Sequence, residues 1–229
     1  MSILYKLFPR DVVRKILYKR VSDSAFKEYL KEKVPARRDE VINTEFIALD
    51  FETTGLDTAL DSILSIGYTV IKNNRVILKE SAYQIIRQDN NLQSSNVAIH
   101  QITDTQASQG VDLKQALDQL LLKMAGKVLL AHHADIELGF LNIACQKYYG
   151  YSLPVRVVDT LLLEKKRLQR RHAGFKSAQL RLFNIRMAYG LPRYKAHNAL
   201  EDAVATAELF LLMLAKYCGQ GKCRLKLFL

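Results

Sequence analysis

The residues best suited to chemistry begin with two carboxylates, Asp50 and Glu52, which follow a short apolar run at 46–49. Residues i and i+2 of an extended segment point to the same face, so both acids can bind the same hard cations through oxygen. An acidic pair by itself is more often a surface turn or a salt-bridge partner. Here the apolar run places the pair at the carboxyl end of a buried strand, where open α/β sheets bind ligands. The pair therefore indicates metal-assisted hydrolysis of a phosphodiester.

A second acidic element follows an apolar stretch at 128–131. On a helix, Glu137 shares a face with Phe140 and Leu141, three and four residues further on. Asp135 lies roughly 200° round the same helix. It fits the helix N-terminus, where a carboxylate meets unpaired amides and the positive end of the dipole. We therefore favour Glu137 over Asp135 as the second acidic residue of the site.

A third element lies far downstream, where His197 precedes Asp202 at the start of a predicted helix. The two side chains lie on adjoining faces of such a helix. Small residues at Ala199, Ala203 and Ala207 allow the helix to pack closely on a sheet. One carboxylate ligand and one titratable base can thus approach the same centre.

Strands and helices alternate along most of the chain after residue 45. Apolar runs and turn residues predict strands at 46–51, 63–71 and 76–78, the last continuing towards 83–86, and at 128–131 and 155–158. Helical spacing predicts helices at 113–124 and 136–149, and near 159–169, 177–189 and 198–217. The first three strands have the pattern of an antiparallel meander. The predicted fold class is α/β, a mixed β-sheet flanked by α-helices.

The chain has 229 residues, 49% of them hydrophobic, enough for one sizeable core and an appended segment. We predict three parts: a basic helical N-terminal extension and linker at 1–40, the main domain at 41–218, and a basic C-terminal tail at 219–229. Apolar residues recur at helical spacing between positions 3 and 21 of the extension. Docking of this extension on the main domain is favoured over contact with a partner or with nucleic acid.

The chain lacks the apolar run of a membrane span and the pattern of a signal peptide. We therefore expect a cytoplasmic protein with no membrane partner. Its cysteines, Cys145, Cys218 and Cys223, are odd in number and match no zinc-site spacing, so we predict reduced thiols.

The formal net charge of +11 suggests a polyanionic partner. Positive charge is concentrated between Leu161 and His197, where Glu164 is the single acid. The basic residues of this window are Lys165, Lys166, Arg167, Arg170, Arg171, Lys176, Arg181, Arg186, Arg193 and Lys195. Because the window leads to His197, contact with nucleic acid is favoured over a merely solvated basic helix face.

Five segments in order resemble the motifs of the DEDDh 3′→5′ exonucleases, a family that includes the epsilon proofreading subunit of bacterial DNA polymerase III, RNase T and oligoribonuclease. The segments are Asp50-Phe51-Glu52-Thr53-Thr54-Gly55, His100-Gln101-Ile102-Thr103, the stretch from His132 to Leu141, Val158-Asp159-Thr160-Leu161, and the stretch from His197 to Asp202. The resemblance covers about residues 45–217. Three positions depart from the family pattern: Glu137 replaces an aspartate, His133 an asparagine and Gln101 a glycine.

The resemblance implies an RNase H-like fold and hydrolysis of the 3′-terminal phosphodiester to release a nucleoside monophosphate. It implies that two Mg²⁺ or Mn²⁺ ions are held by Asp50, Glu52, Glu137 and Asp202. His197 would be the general base. The implied substrate-binding residues are Thr53, Thr54, Gly55, Leu56, Phe140 and His100.

The preferred substrate is the 3′ end of single-stranded DNA, in proofreading or repair. One alternative is a 3′→5′ exoribonuclease like RNase T or oligoribonuclease. Another is a non-catalytic module bound to a polymerase or sliding clamp, because the tail at 224–229 resembles a clamp-binding peptide. A frayed basic terminus is favoured over clamp binding for this tail. A second match at 179–183 is predicted to lie in a helix whose Leu180, Phe183 and Met187 belong to the core.

Overall fold

The computed structural model describes residues 8–89, 100–170, 174–194, 197–219 and 221–229. The apolar positions predicted at 3–7 and two residues of the basic window, Arg171 and Lys195, lie outside the described residues. One sheet contains the strands β1 Phe46–Thr53, β2 Ile63–Lys72, β3 Arg75–Ile85, β4 Val128–Ala131 and β5 Val157–Asp159. Their order is β3-β2-β1-β4-β5. The sheet is mixed, since β1 is antiparallel to β2 and parallel to β4. The predicted α/β class and the antiparallel meander are confirmed.

Strand β1 lies in the middle of the sheet, and both of its faces are covered. Ile47 and Leu49 belong to one hydrophobic core, while Phe46 and Ala48 belong to the core on the other side. Because side chains alternate along a strand, Asp50 and Glu52 continue the Phe46 and Ala48 face. The sequence pattern of β1 therefore fixes which side of the sheet carries the acids.

Eight α-helices are present among the described residues. They are α1 Arg10–Arg20, α2 Ala25–Lys31, α3 Asp104–Ser108, α4 Leu113–Met124, α5 Asp135–Tyr149, α6 Thr160–Arg170, α7 Leu182–Ala188 and α8 Ala199–Cys218. Helix α8 packs on the face of the sheet that carries Phe46, with the rings of Phe46 and Phe210 in edge contact at 4.9 Å. No helix among the described residues has the length and hydropathy needed to cross a membrane.

Two predicted element boundaries were wrong. Strand β5 begins at Val157 and not at residue 155, because the amide of Val155 donates to the nearby carbonyl oxygen of Leu153 and not to a neighbouring strand. The helix predicted at 177–189 is a short 3-10 helix, Ser177–Leu180, followed by α7, because Arg181 is extended between them. The break changes which side chains face inward, so Met187 is 52% exposed and is not a core residue.

The N-terminal helices α1 and α2 pack against the main domain. Leu17, Phe26 and Tyr29 are fully buried in the same core as Ile47 of β1. The guanidinium of Arg14 is also buried, and it donates hydrogen bonds to the carbonyl oxygens of neighbouring residues. These contacts make the segment part of the folded core, in agreement with the predicted docking.

The C-terminal residues fold back on helix α8. Cys218 and Cys223 form a disulfide, so the expectation of reduced thiols was wrong for this pair and holds for the buried Cys145. Helix α8 ends at Cys218 with Gly219 as its cap, and the amide of Gly221 donates a hydrogen bond back to the carbonyl oxygen of Cys218 at 3.0 Å. Leu225 and Phe228 are 0% and 3% exposed. The tail is therefore not frayed, and two apolar residues of its clamp-like peptide, Leu225 and Phe228, already belong to the core.

Candidate active site

Three carboxylates meet where the end of β1 faces the start of α8. Asp50, Glu52 and Asp202 each offer an oxygen, and these oxygens lie within 4.8 Å of one another. Asn198 begins α8 by accepting hydrogen bonds from the amides of the first turn. The second oxygen of Asp202 accepts a hydrogen bond from the amide of His197 at 3.2 Å. The end of a strand and the cap of a helix thus fix the cluster.

A glycine allows this close approach of helix and sheet. Gly67 of β2 pairs with Asp50 of β1. A Cβ atom at Gly67 would overlap the backbone of Ala199 and Leu200 at the start of α8. Only a residue without a side chain lets the first turn of α8, which carries Asp202, lie this close to Asp50.

Glu137, in the first turn of α5, is directed to the same cavity as Asp50 and Glu52. It is 4% exposed, and its negative charge raises the pKa of Asp50. Asp135 is exposed and lines a different cavity. The structure therefore brings Glu137, and not Asp135, to the carboxylate cluster.

Burial and mutual repulsion disfavour the ionised forms of these acids. Burial, followed by the charges of Glu137, Asp202 and Glu52, raises the pKa of Asp50 well above its ordinary value. Burial raises the pKa of Glu137 to about 8. Burial and the charge of Glu52 raise the pKa of Asp202 to about 7.

Several oxygens of the cluster are unsatisfied. One carboxylate oxygen each of Glu52, Glu137 and Asp202 is buried without a hydrogen-bond partner among the described residues. Buried carboxylates that are unpaired destabilise a fold unless a cation or a proton neutralises them. Oxygen-only donors of this kind suit hard divalent cations. The residues present thus fit a divalent metal centre.

Two histidines, His100 and His197, line the same cavity as the carboxylates. His197 is exposed and has a left-handed backbone, with φ 71°. Its ring lies 6.1 Å from the ring of His100, measured between centroids. Nδ1 of His100 lies 2.5 Å from a carboxylate oxygen of Glu52. Sequence reasoning assigned His100 to substrate binding and missed this contact, for which the only signal was the His100-Gln101-Ile102-Thr103 motif.

The residues after β1 line a cavity of about 520 Å³ beside the carboxylates. Thr53, Thr54, Gly55 and Leu56 all contribute to its wall, and Leu56 is 73% exposed. The hydroxyl of Thr53 donates to the carbonyl oxygen of Gly55 at 2.7 Å, which makes the turn compact. The hydroxyl of Thr54 contacts a carboxylate oxygen of Asp61 at 2.9 Å.

The contact of Phe140 with substrate stays a prediction. Phe140 is 4% exposed and belongs to the core formed with Ile47 and Leu49. Phe140 follows Glu137 by nearly one helical turn, and at that height the inward face of α5 meets the core and not the cavity. The exposed apolar residue at the cavity is Leu56.

A second aspartate, Asp159, holds the start of α5 in place. Its carboxylate accepts hydrogen bonds from the amides of His133 at 3.1 Å and Ala134 at 3.0 Å. It also accepts from Leu161 at 2.8 Å. Asp159 thus ties the end of β5 to the turn that precedes Glu137. The sequence motif at 158–161 drew attention to this residue, but sequence reasoning gave it no role.

The neighbouring His132 is a structural residue. Its two ring nitrogens contact the hydroxyl of Thr160 at 2.8 Å and the carbonyl oxygen of Leu180 at 2.9 Å. Burial lowers its pKa to about 4, so the ring is neutral. The ring therefore joins β4 to the segment before α7, which forms one wall of the cavity.

Two departures from the family pattern occupy left-handed backbone positions. His133 has φ 72° and Gln101 has φ 56°. Asparagine and glycine tolerate this conformation better than other residues. The usual residues at these positions thus have a backbone reason, and neither departure removes a carboxylate from the cluster.

The basic window is only partly available to a ligand. Arg181 lines the cavity, and Lys165 and Lys166 are exposed on α6. Arg186, in contrast, is fully buried and paired with Glu208 at 2.9 Å. Arg186 was counted in the basic window, but its charge is used within the fold and is not available to a polyanion.

The fold and site together define an RNase H-like nuclease domain: a mixed sheet whose central strand delivers carboxylates to a helix that carries a further acid. Residues 47–210 match the family model described as RNase_T, Exonuclease, and the chain belongs to this exonuclease family.

Curated relatives carry the same domain within longer proteins. The chain is 29% identical over 169 residues to a DNA polymerase III PolC-type of Thermotoga petrophila, matching 74% of this chain and 12% of the relative. It is 30% identical over 175 residues to a 3'-5' exonuclease DinG of Staphylococcus haemolyticus, matching 76% of this chain and 19% of the relative. The chain thus spans less than a fifth of the length of these relatives.

Solved structures share the fold at low sequence identity. The structure of E. coli exonuclease I in complex with a 5cy-dT13 oligonucleotide has a TM-score of 0.64 and 18% identity, over 76% of this chain and 41% of that chain. The nuclease domain of 3'hExo, a DEDDh family member bound to rAMP, also has a TM-score of 0.64 and 18% identity, over 79% of this chain and 96% of that chain. These likenesses confirm the predicted RNase H-like exonuclease fold.

Proposed function

We propose that this chain is a 3′→5′ exonuclease that removes nucleoside monophosphates from the ends of single-stranded DNA in a proofreading or repair role. The observation that carries the proposal is the buried carboxylate cluster with its unpartnered oxygens beside the exposed His197. The names of the relatives, among them 3'-5' exonuclease DinG, support the direction of digestion. The oligonucleotide complex of E. coli exonuclease I supports the substrate.

The carboxylates of Asp50, Glu52, Glu137 and Asp202 would hold two divalent cations, Mg²⁺ or Mn²⁺. When bound, such ions generate a nucleophilic hydroxide near neutral pH and stabilise the charge of the leaving oxygen. Burial, and then the charges of Glu137, Asp202 and Glu52, raise the pKa of Asp50. This supports a role for Asp50 at the centre of the ligand set.

His197 would accept the proton of the attacking water. Its exposure at the cavity mouth leaves the imidazole accessible to water and substrate, and its amide is held by Asp202. A neutral imidazole has a nitrogen lone pair that can accept a proton, which suits a general base. Replacing His197 with alanine should lower kcat by about 10²–10⁴-fold, and a kcat that stays within about tenfold of the wild type would refute the general-base role.

The residues after β1 would hold the terminal nucleotide. Thr53, Thr54 and Gly55 line the cavity, and the hydroxyl bonds of both threonines keep this turn compact. The exposed side chain of Leu56 offers an apolar surface to a base. Apolar and stacking contacts with bases tolerate any sequence, so we expect little base preference.

RNA is the second candidate substrate, since the nuclease domain of 3'hExo is bound to rAMP. Discrimination between DNA and RNA depends on contacts with the 2′-hydroxyl. Digestion of 5′-labelled single-stranded DNA and of RNA of matched sequence, in competition, decides between the two classes. If the RNA is digested faster, RNA becomes the proposed substrate in place of DNA.

A matched pair of substitutions tests the ligand set. Glu137→Gln removes a charge from the cluster, whereas Asp135→Asn removes one from the exposed side of the same helical turn. We expect the first variant to lose metal-dependent digestion and the second to digest like the wild type. The reverse result would move the second acidic ligand to Asp135.

A non-catalytic role as a polymerase or clamp module is less well supported. The clamp-like tail would have to withdraw Leu225 and Phe228 from the core before a partner could bind them. The similarity to PolC-type polymerases supports association with a polymerase only in a general way.

A further inference from the structure

A second, chemically different set of ligand atoms lies at the edge of the carboxylate cluster. One atom each of Glu52, His100 and His197 lies within 4.8 Å of the others. The two imidazole rings face each other edge to face, with an angle of 76° between their planes. The three residues come from β1, from the segment before α3 and from the segment before α8, so the fold alone brings them together.

We propose that Glu52, His100 and His197 form a binding site for Zn²⁺, and that Zn²⁺ in this site blocks the exonuclease. Two imidazole nitrogens and one carboxylate oxygen are a donor set that zinc uses with a fourth, open position for water. Mg²⁺ prefers oxygen ligands alone, whereas imidazole suits zinc and its neighbours. The set is thus distinct from the oxygen-only set of Asp50, Glu52 and Asp202, although Glu52 belongs to both.

The hydrogen bonding of these residues supports a cation between them. The largely buried side chains of Glu52 and His100 leave one oxygen of Glu52 and Nδ1 of His100 without a hydrogen-bond partner in the described part of the chain. Nδ1 lies 2.5 Å from the other oxygen of Glu52, but the ring is not aligned to donate to it. The side chains of His100 and Glu52 are 11% and 7% exposed. Both atoms are thus withdrawn from bulk solvent, and a cation between them would neutralise Glu52 and bind the imidazole.

The geometry requires only a small adjustment. Zinc bonds of about 2.0–2.1 Å in a tetrahedron separate ligand atoms by about 3.3 Å. Glu52 and His100 must therefore move apart by about 1 Å from their present separation of 2.5 Å. His197 lies in an exposed bend beside the cavity, so its ring can turn and the fourth position can open to solvent.

The blocking effect rests on the proposed function. A histidine whose lone pair binds a metal cannot accept a proton from water. Glu52 is at the same time withdrawn from the carboxylate cluster. Zn²⁺ should therefore inhibit digestion even when Mg²⁺ is saturating. A rising Mg²⁺ concentration should relieve the inhibition only in part, because Mg²⁺ competes for Glu52 but not for the imidazoles.

Binding is tested without any substrate. Co²⁺ is bound to the magnesium-free protein and displaced with Zn²⁺, while the visible absorption that marks tetrahedral Co²⁺ is recorded. Zinc affinity is then measured by calorimetry for the wild type, His100→Ala and Asp202→Asn. Asp202→Asn is the matched control because it alters the oxygen-only set and none of the three zinc ligands.

We expect tetrahedral Co²⁺ in the wild type and loss of at least about 100-fold in zinc affinity in His100→Ala, since loss of even an outer partner of a metal ligand costs 10–100-fold. Asp202→Asn should keep its zinc affinity within about tenfold. His100→Cys, which supplies a thiolate, should restore the affinity and exclude misfolding as the cause. Zinc affinity that survives in His100→Ala but is lost in Asp202→Asn would overturn the proposal.

The two proposals fail separately. Mg²⁺-dependent digestion that is present while zinc binding is weak or independent of His100 refutes the zinc site alone. Zinc binding that depends on His100 in a protein that digests neither DNA nor RNA refutes the exonuclease and leaves the site.

Discussion

Replacing Asp202 with asparagine should abolish digestion and at the same time stabilise the metal-free protein. The amide keeps the shape of the carboxylate, and its oxygen can still accept the hydrogen bond from the amide of His197. Its nitrogen can donate to the neighbouring carboxylates, one of which, on Glu52, raises the pKa of Asp202. The substitution thus removes a charge without creating a cavity.

The size of the effect follows from the pKa. Burial and the charge of Glu52 raise the pKa of Asp202 from 3.8 to about 7. Each pKa unit corresponds to about 1.4 kcal/mol, so the ionised carboxylate lowers the free energy of unfolding at pH 8 by up to about 4 kcal/mol. Because the neighbouring acids titrate together with Asp202, we expect asparagine to recover about 1–3 kcal/mol of this amount.

The dependence on pH has a definite sign. Below the ordinary pKa of 3.8 the carboxyl is protonated in both the folded and the unfolded chain, and its contribution to stability is fully present. That contribution is lost as pH rises through about 7, where the folded protein gives up the proton. Asparagine does not titrate. The stability advantage of the variant should therefore grow as pH rises from about 4 to about 8.

Urea unfolding in EDTA at about pH 4.5 and about pH 8 measures this advantage. With excess Mg²⁺ at the higher pH the wild type should become more stable than the variant, because the folded wild type binds the cation more tightly than the folded variant does. A variant that is less stable than the wild type in EDTA at the higher pH would show that the ionised carboxylates do not destabilise the metal-free protein.

Two further substitutions test how the site and the tail are held. Gly67→Ala should lower kcat at least about 10²-fold, because the added Cβ displaces the start of α8 and misplacement by 1 Å can have an effect of this size. Gly174→Ala is the control in the same digestion assay, because the space around its Cβ is open. Equal rates in the two variants would refute the role of Gly67 in helix packing. Phe228→Ala should lower the free energy of unfolding by about 3 kcal/mol through loss of a buried ring, whereas Leu227→Ala, at a position 60% exposed, should change it little in the same urea titration. Equal effects of these two would mean that the tail is not docked in solution.

The sequence predicted those parts of the site that depend on local periodicity. The alternation along β1 put Asp50 and Glu52 on one face, and the helical spacing of α5 favoured Glu137 over Asp135. Both placements hold in the structure because each depends on a single regular element. The role of these residues as ligands stays a proposal.

Contacts between distant segments were beyond the sequence. The sequence spacing of Glu52 and His100 does not predict their contact, because the two residues lie far apart in the chain and on different elements. The pairing of Cys218 with Cys223 depends on the turn between them. The odd number of cysteines led to the prediction of reduced thiols and gave no sign of this pair. The burial of Phe228 likewise could not be predicted, because it depends on the side chains of α8 against which Phe228 packs.

Errors within elements have equally physical causes. The extended Arg181 interrupts the predicted helix and turns Met187 outward. Arg186 was counted as part of a basic surface, but the carboxylate of Glu208 and nearby carbonyl oxygens satisfy its charge inside the fold. Side-chain burial depends on three-dimensional neighbours, and single-sequence patterns do not contain them.

The central claim is that the carboxylate cluster is the metal centre of an exonuclease. The most direct test is a time course of 5′-labelled single-stranded DNA with the wild type in Mg²⁺, beside the wild type in EDTA and Asp202→Asn in Mg²⁺. We expect a ladder that shortens from the 3′ end with release of nucleoside monophosphates in the first reaction, and intact DNA in the other two. Digestion that persists in EDTA or in the folded variant, or DNA left intact by the wild type in Mg²⁺, would contradict the claim.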